Sequence, residues 1–584
     1  MINPISHQID LWAEAIGLDE ATLKLAICLF GSFPLNAILK RLPDNNITLK
    51  NAYIISISAF YLFGIMSLFS GFRTLLISSL FTFLCTKYLK SEFMPFINFA
   101  FVMGHLAMNH FYLQFVNEYD STKVDITGAQ MVLCMKLTGY AWNVHDGKKP
   151  ESELSSFQRA KAVRHQPSLL NFLSFAFFYP SLLTGPSFDY IDFENWLNSK
   201  MFTDLPESKK PGKKRKRNIP KSGKVAFYRS LQAIGWLLIW QKSGEYFQVE
   251  STFTPWFTSK NILFKLGYVY VLAFTYRLKY YAAWTLSEAS CILAGLGYNG
   301  YDKETKTIKW DRVQNIDIYG FETSQNIHVA LEAWNQNTNK WLKNYVYFRV
   351  ASKGKKPGFK STLFTFLTSA FWHGTRPGYY LSFATGALLQ TCGKIYRRNF
   401  RPIFLQNDGI TPKGSKLAYD VVCYIVTQLA LAYLVQPFVI LDFGKSLQHW
   451  RTVYFYGHVG IGLTLFAFQG PFKKQVVGFF KKYHPVKPTE SKITDIIKDK
   501  QDYEFSEKMH LGIPEADFEN TDLNTIVSEL EDFKKDVKDW QNNNGFETEE
   551  AAIKNAYNEF SKDIDNLKNR GQKIKELEKQ SKKE

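Results

Sequence analysis

The sequence predicts an all-α, polytopic helical membrane protein that ends in a cytosolic helical hairpin. Three observations carry that prediction. Apolar runs of membrane-spanning length recur through the first 470 residues, cationic loops separate them, and a charged tail with two helical apolar stripes follows. Hydrophobic residues make up 46% of the chain and aromatic ones 16%, so a mean hydropathy of only −0.19 reflects dilution by the tail.

In chain order, residues 1–19 form an N-terminal segment in which Ile9–Leu18 (IDLWAEAIGL) reads as a short interfacial amphipathic helix or an ordinary surface helix. No basic-then-apolar signal with a cleavage site opens the chain, so the early helices are expected to act as uncleaved insertion signals. Residues 20–470 read as one membrane domain with about ten or eleven spanning or re-entrant helices, judged from apolar windows of roughly 20 residues. The clear runs are Ala52–Ser70, Leu75–Leu89, Met94–Val116, Ile262–Leu286, Leu417–Leu441 and Trp450–Gln469. Gly128–Trp142 and Leu169–Leu183 are short for a full crossing and are candidates for re-entrant segments. A re-entrant Leu169–Leu183 would keep the cationic loops on either side of it, Lys148–Arg164 and Lys209–Lys224, on the same cytosolic face. Lys209–Lys224 has nine basic residues in sixteen and reads as a loop held near anionic headgroups.

Residues 471–584 form a charged tail in which 24 Asp+Glu outnumber 21 Lys+Arg, so the first 470 residues carry a net +21. That charge suits anionic lipid or a phosphate-bearing cosubstrate. Nucleic acid is excluded as a partner because the basic residues alternate with lipid-length apolar runs. In the tail, Ile526, Leu530, Phe533, Val537 and Trp540 follow a 4-3-4-3 spacing, as do Ile553, Tyr557, Phe560, Ile564 and Leu567. Across 521–580 this predicts an antiparallel coiled-coil hairpin, with separate amphipathic helices lying on the membrane domain as the alternative. Whether the tail contacts another protein stays open.

Six scattered cysteines with no CxxC or Cys/His cluster indicate neither a zinc site nor a disulfide framework, and no metal is expected. GLGYNG (Gly295–Gly300) matches a dinucleotide-binding string but follows a helical run rather than a strand. His328 and Glu332 stand four apart without a third metal ligand, and no HxxxxD string occurs.

Two segments carry candidate chemistry. His373 lies at the end of the apolar run Ser361–Gly374 (STLFTFLTSAFWHG), beside Trp372, and an ionisable ring at membrane depth is costly enough to be a functional candidate. The turn signal Arg376-Pro377-Gly378 follows, which places the imidazole near a helix C-terminus. Asn335 lies 38 positions earlier, and a continuous helix there would align His328, Leu331, Asn335, Thr338 and Leu342 on one stripe flanked by Trp334 and Trp341. Such a face lines a polar tunnel or serves as interhelical packing glue. Between the two segments, Arg349–Lys360 supplies Arg349, Lys353, Lys355 and Lys356. Together with Arg376 these are candidates for holding phosphates, and ordinary positive-inside charge is the other reading.

Four blocks, Thr184-Gly185-Pro186 with Phe188-Asp189-Tyr190, Gly295–Gly300, Trp334-Asn335 through Trp341-Leu342, and Ser369–Tyr380 (SAFWHGTRPGYY), resemble the membrane-bound O-acyltransferase (MBOAT) family, in its lysophospholipid acyltransferase branch. The resemblance spans roughly residues 100–470. It implies a multi-pass enzyme of the endoplasmic reticulum, while the tail, expected on the cytosolic side, is supported less by the resemblance. Such an enzyme moves an acyl group from acyl-CoA, a cosubstrate rather than a bound cofactor, to a lysophospholipid from the membrane, mainly at the sn-2 hydroxyl. It further implies His373 as general base and Asn335 as its assistant. A diacylglycerol, sterol or protein acceptor, or a lipid transporter with midplane His and Asn, are the competing readings.

Overall fold

The computed structural model describes residues 3–116, 125–211, 218–351, 359–409 and 411–485, and in the tail 531, 534–535, 538–543 and 545–581. Helices account for nearly all of the regular structure there. The N-terminal part comprises α1 (Pro4–Ile16), α2 (Glu20–Leu39), α3 (Ile47–Ala59, prolonged by a π-helical turn Phe60–Ile65), α4 (Phe69–Tyr88), α5 (Met94–Phe115) and α6 (Thr127–Gly147). Short helices α7 (Ser156–Lys161), α8 (Leu169–Ala176) and α9 (Tyr190–Leu197) lead to α10 (Gly223–Gly244), α11 (Pro255–Thr258) and α12 (Ile262–Ala294). After a small antiparallel hairpin, β1 (Tyr301–Asp302) and β2 (Thr307–Ile308), come α13 (Ile318–Glu322), α14 (Ile327–Ala333) and α15 (Gln336–Leu342). Then follow α16 (Phe359–His373), α17 (Pro377–Asn399), α18 (Lys416–Ile440), α19 (Phe443–Thr452), α20 (Tyr456–Gln469) and α21 (Lys473–Lys481), with a last helix at Gly545–Ser581.

By length and composition alone, four stretches are apolar enough to cross a bilayer: Glu20–Leu39, Ile47–Ile65, Phe69–Tyr88 and Lys416–Ile440. Several others are as long but fall outside that set, and one of them does so because protein rather than lipid surrounds it. That one is α6, read from sequence as a short re-entrant run at Gly128–Trp142. It is a 21-residue helix, buried along almost its entire length. Lys136, which interrupts the hydropathy signal, is buried and donates to the Phe175 carbonyl at 2.6 Å. The apolar run Trp450–Gln469 is two helices rather than one, since Tyr454 and Phe455 take left-handed backbone angles between α19 and α20. Leu169–Leu183 is a two-turn helix plus a 3₁₀ turn at Tyr179–Ser181, too short to span.

The longest membrane-domain helix, α12, has 33 residues and so runs about 50 Å. Asn261 caps it, accepting from the Phe264 N–H at 2.9 Å, and Gly295 ends it in the left-handed region, which places GLGYNG at a helix stop. Its buried Arg277 meets Glu322 of α13 through two bonds of 2.9 and 3.0 Å, and the Tyr281 hydroxyl donates to the same carboxylate at 2.6 Å. Full pairing is what makes a guanidinium tolerable at this depth. Gln428 of α18 donates to the Glu322 carbonyl at 3.1 Å, so α13 is tied to two long helices just before the chain enters α14.

Where α17 starts, it presses against the end of α18. A methyl group on Gly378 would lie 2.1 Å from the Pro437 carbonyl oxygen and 2.6 Å from Leu441 Cα. Gly378→Ala is therefore expected to destabilise the fold by about 1–3 kcal/mol through overpacking against backbone. A lowered melting temperature of the detergent-solubilised protein checks this, and an unchanged one would mean that the two helix ends separate freely.

Tail residues also meet the membrane domain. Lys473–Lys481 packs through Phe480 on Phe400 and Phe468. On the last helix, Asp563 and Glu559 pair with Lys87 and Lys90 at 2.9 and 2.8 Å, Glu549 accepts from Ser91, and Phe560 meets Tyr88 edge-on. Most of the first tail stripe, Ile526–Val537, lies outside the described residues. The cysteines are free, and all but Cys423 are buried.

Candidate active site

Asn335 does not sit within a helix. Its φ of 44° and ψ of 54° are left-handed, and it separates α14 from α15 as the residue before Gln336. Asparagine tolerates that region better than other non-glycine residues, which is how the chain turns there without glycine or proline. The Asn339 side-chain amide braces the break, donating to the Leu331 and Trp334 carbonyls, the latter at 2.7 Å. The Gln336 N–H donates to the Asn315 carbonyl at 2.8 Å.

This break separates residues that a continuous stripe would have aligned. His328 stays on α14, 3.4 Å from Glu332 and 3.4 Å from Gln390 of α17. Trp334 turns away into an aromatic nest of Tyr280, Tyr281, Trp284 and Phe321. Thr338 remains beside Asn335, its hydroxyl donating to Asn335 Oδ1 at 2.8 Å. That bond commits Oδ1 as an acceptor and turns the donor end of the amide, Nδ2, to the opposite side.

His373 is the last residue of α16, and Gly374 follows with φ 142°. The imidazole lies among Tyr379 and Phe383 of α17 and Phe438 of α18, with centroid distances of 5.7, 5.3 and 4.9 Å. Among the described residues no side chain hydrogen-bonds either ring nitrogen, so aromatic walls orient the ring.

Helix α6 links the two segments. The Trp372 indole N–H donates to the Met131 carbonyl at 3.0 Å, Thr338 Oγ1 lies 3.3 Å from Met135 Sδ, and Trp341 Nε1–H donates to Thr138 Oγ1 at 2.9 Å. Positions 131, 135 and 138 share one helix face, so the Asn335 and His373 segments reach α6 about one turn apart. The Trp341 and Trp372 rings close the gap, 5.9 Å between centroids.

A cavity of about 680 Å³ opens beside this contact. Met135 and Trp341 form part of its wall, and the cations Lys161, Arg312, Lys340, Lys343 and Arg349 outnumber the carboxylates Asp189, Asp192 and Asp311 on it. Arg349 is fixed by a two-pronged pair with Asp146, at 2.8 and 2.5 Å, and its guanidinium covers the Trp142 ring at 4.4 Å. Lys161 and Arg312 share Asp192, at 2.5 and 2.9 Å. Burial works against the charge on Lys161, but Asp192 and Asp189 outweigh it and raise its pKa. In Asp192 burial is likewise outweighed, by Lys161 and Arg312, and the carboxyl is held below its ordinary value.

Of the predicted cations, Arg349 lies on this wall, Arg376 sits at the N-cap of α17 beside the His373 turn, and Lys353, Lys355 and Lys356 fall outside the described residues. Lys340 and Lys343 were readable from sequence, three apart within the Asn335 segment. Lys161 and Arg312 come from distant stretches with no shared signal. Among the described residues no His/Cys/Asp/Glu cluster is fit to hold a metal ion.

The fold is a polytopic helical bundle of the kind that membrane-embedded enzymes use, and it brings the Asn335 and His373 segments to one face of α6 near a cavity. Residues 111–436 match the family model for MBOAT, the membrane-bound O-acyltransferase family, and the chain belongs to that family. It is an O-acyltransferase. The chain is 51% identical to a lysophospholipid acyltransferase of Saccharomyces cerevisiae, over 97% of its own length and 96% of that protein. It is 44% identical to a lysophospholipid acyltransferase of Schizosaccharomyces pombe, over 81% and 91%. It is also 34% identical to human membrane-bound glycerophospholipid O-acyltransferase 2, over 62% and 68%.

Proposed function

We propose that this protein transfers a fatty acyl group from acyl-CoA to the free hydroxyl, mainly at sn-2, of lysophospholipids in the endoplasmic reticulum membrane, in phospholipid synthesis and remodelling. The observation that carries the reading is the convergence of Asn335–Thr338 and Trp372–His373 on one face of α6, beside a cation-lined cavity. Coenzyme A brings a diphosphate and a 3′-phosphate, and Lys161, Arg312, Lys340, Lys343 and Arg349 supply the matching charge, extended in sequence by Lys353, Lys355 and Lys356. The cavity volume lies in the range that small-ligand sites occupy.

His373 takes the proton from the lysolipid hydroxyl as its oxygen attacks the thioester carbonyl. The Nδ2–H of Asn335 donates to the oxyanion of the tetrahedral intermediate. On collapse, the C–S bond breaks, the imidazolium returns its proton to the departing thiolate, and CoA leaves toward the cytosol. The lysolipid reaches the same point laterally from the bilayer. The tail stays on the cytosolic side in this reading, because its last helix pairs with Lys87 and Lys90, cations expected on that face.

Purified protein supplied with radiolabelled acyl-CoA and a panel of lysophospholipids, diacylglycerol and sterol tests the acceptor. Label is expected in diacyl phospholipid, with little in triacylglycerol or sterol ester. Preferential labelling of either neutral acceptor overturns the acceptor assignment. Lipid movement in liposomes without acyl-CoA consumption overturns the transferase reading.

A further inference from the structure

Helix α5 carries a row of polar groups on the side opposite its lipid-like face of Met108, Phe111 and Phe115, which are 69%, 55% and 62% exposed. Asn109 donates to Gln130 of α6 at 2.5 Å. His110 Nε2 lies 3.2 Å from the carbonyl oxygen of Trp372, and since a carbonyl only accepts, Nε2 carries the hydrogen. One turn on, Gln114 Oε1 accepts from the Thr375 hydroxyl at 2.6 Å. Two rungs of α5 thus grip the chain on either side of His373 and Gly374. The grip is tight: a methyl group on Gly374 would come within 3.3 Å of His110 Nδ1 and 3.0 Å of the Tyr379 ring.

A helix C-terminus leaves its last carbonyls without intrahelical partners. The Trp372 carbonyl belongs to that set, and a wandering helix end would carry the imidazole with it. The His373 imidazole gains no hydrogen bond from the described residues, so its placement depends on the backbone that bears it. We infer that His110 and Gln114 are positioning residues for acyl transfer, clamping the Trp372–Thr375 turn so that the His373 ring meets the acceptor hydroxyl. The inference rests on the reading of His373 as base. His110 acts through the turn and makes no contact with the reacting atoms.

The test is a set of variants assayed per folded molecule, with folding checked by size-exclusion chromatography. His110→Leu removes the donor while keeping bulk, and is expected to lower kcat roughly 10- to 100-fold, the scale of a sub-ångström to 1 Å misplacement. KM for acyl-CoA and for lysolipid should change by less than about twofold, as suits loss of an interaction felt only in the transition state. His110→Gln, whose amide nitrogen can stand where Nε2 stands, is expected to recover most of that kcat. A His110→Leu enzyme with normal kcat, or a His110→Gln enzyme as impaired as His110→Leu, overturns the clamp. Should His110→Leu fail to accumulate, Thr375→Val cuts the second rung and is judged by the same kcat-against-KM split. His373→Ala run alongside separates the two readings. Turnover kept by His373→Ala removes the base role itself, whereas its loss beside an unaffected His110→Leu removes only the clamp.

Discussion

Replacing His373 with alanine is expected to abolish acyl transfer, a loss of roughly 10²- to 10⁴-fold or more in kcat, while the protein remains folded and membrane-inserted. The imidazole is the one ionisable side chain in the Ser361–Gly374 segment, and it sits at the end of α16 among the rings of Trp372, Tyr379, Phe383 and Phe438. Those neighbours are van der Waals walls, so truncating the ring costs packing but strands no hydrogen-bond partner among the described residues. His373→Gln should do no better, since an amide fills the space without accepting the proton. Release of free CoA thiol from acyl-CoA is the measurement. Turnover by His373→Ala at a substantial fraction of the parent rate refutes the base assignment.

The turn that presents His373 was legible in sequence because its punctuation is local. Gly374 takes a φ that other residues avoid, and Arg376-Pro377-Gly378 opens the next helix with proline in its first turn. The ends of α5 and α18 were readable in the same way, lying within a residue of the apolar runs Met94–Val116 and Leu417–Leu441, as was the C-terminal end of α4. Where reading failed, the cause was context rather than composition. Hydropathy reports lipid contact, and α6 touches protein on all sides, so Lys136 and the small polar residues within it suppressed the signal of a full helix. The stripe through His328, Asn335 and Thr338 failed for a different reason. A 3.6-residue period assumes an unbroken helix, and the break at Asn335 has no proline or glycine to announce it. The braces that stabilise it, Asn339 and Asn315, become visible only once the chain has folded back on itself. The cationic wall of the cavity draws on α7, α15, the segment before α13 and Arg349, a grouping that no local pattern encodes.

Asn335 offers a sharper dissection than a single alanine change, because its backbone and its amide do separable work. Asn335→Gly keeps the left-handed corner at little steric cost and removes the amide, so the helix break and the protein's stability should survive. Its kcat is expected to fall roughly 10²- to 10³-fold, the measured scale for losing one oxyanion donor. Asn335→Ala should show the same catalytic loss with a further destabilisation of about 1 kcal/mol, since a Cβ without a compensating local hydrogen bond strains that region. Asn335→Asp tolerates the corner and can still accept from Thr338, yet it presents a carboxylate where Nδ2 stood. Repulsion of the developing oxyanion should then make it at least as slow as the glycine variant. The ordering of these three is what discriminates. If Asn335 served only to turn the chain between α14 and α15, the glycine enzyme would retain nearly full kcat and the alanine enzyme would fail mainly through instability. A near-normal kcat in Asn335→Gly would therefore remove the amide from the reaction, leaving His373 to act without that donor and α15 as a scaffold for the cavity wall.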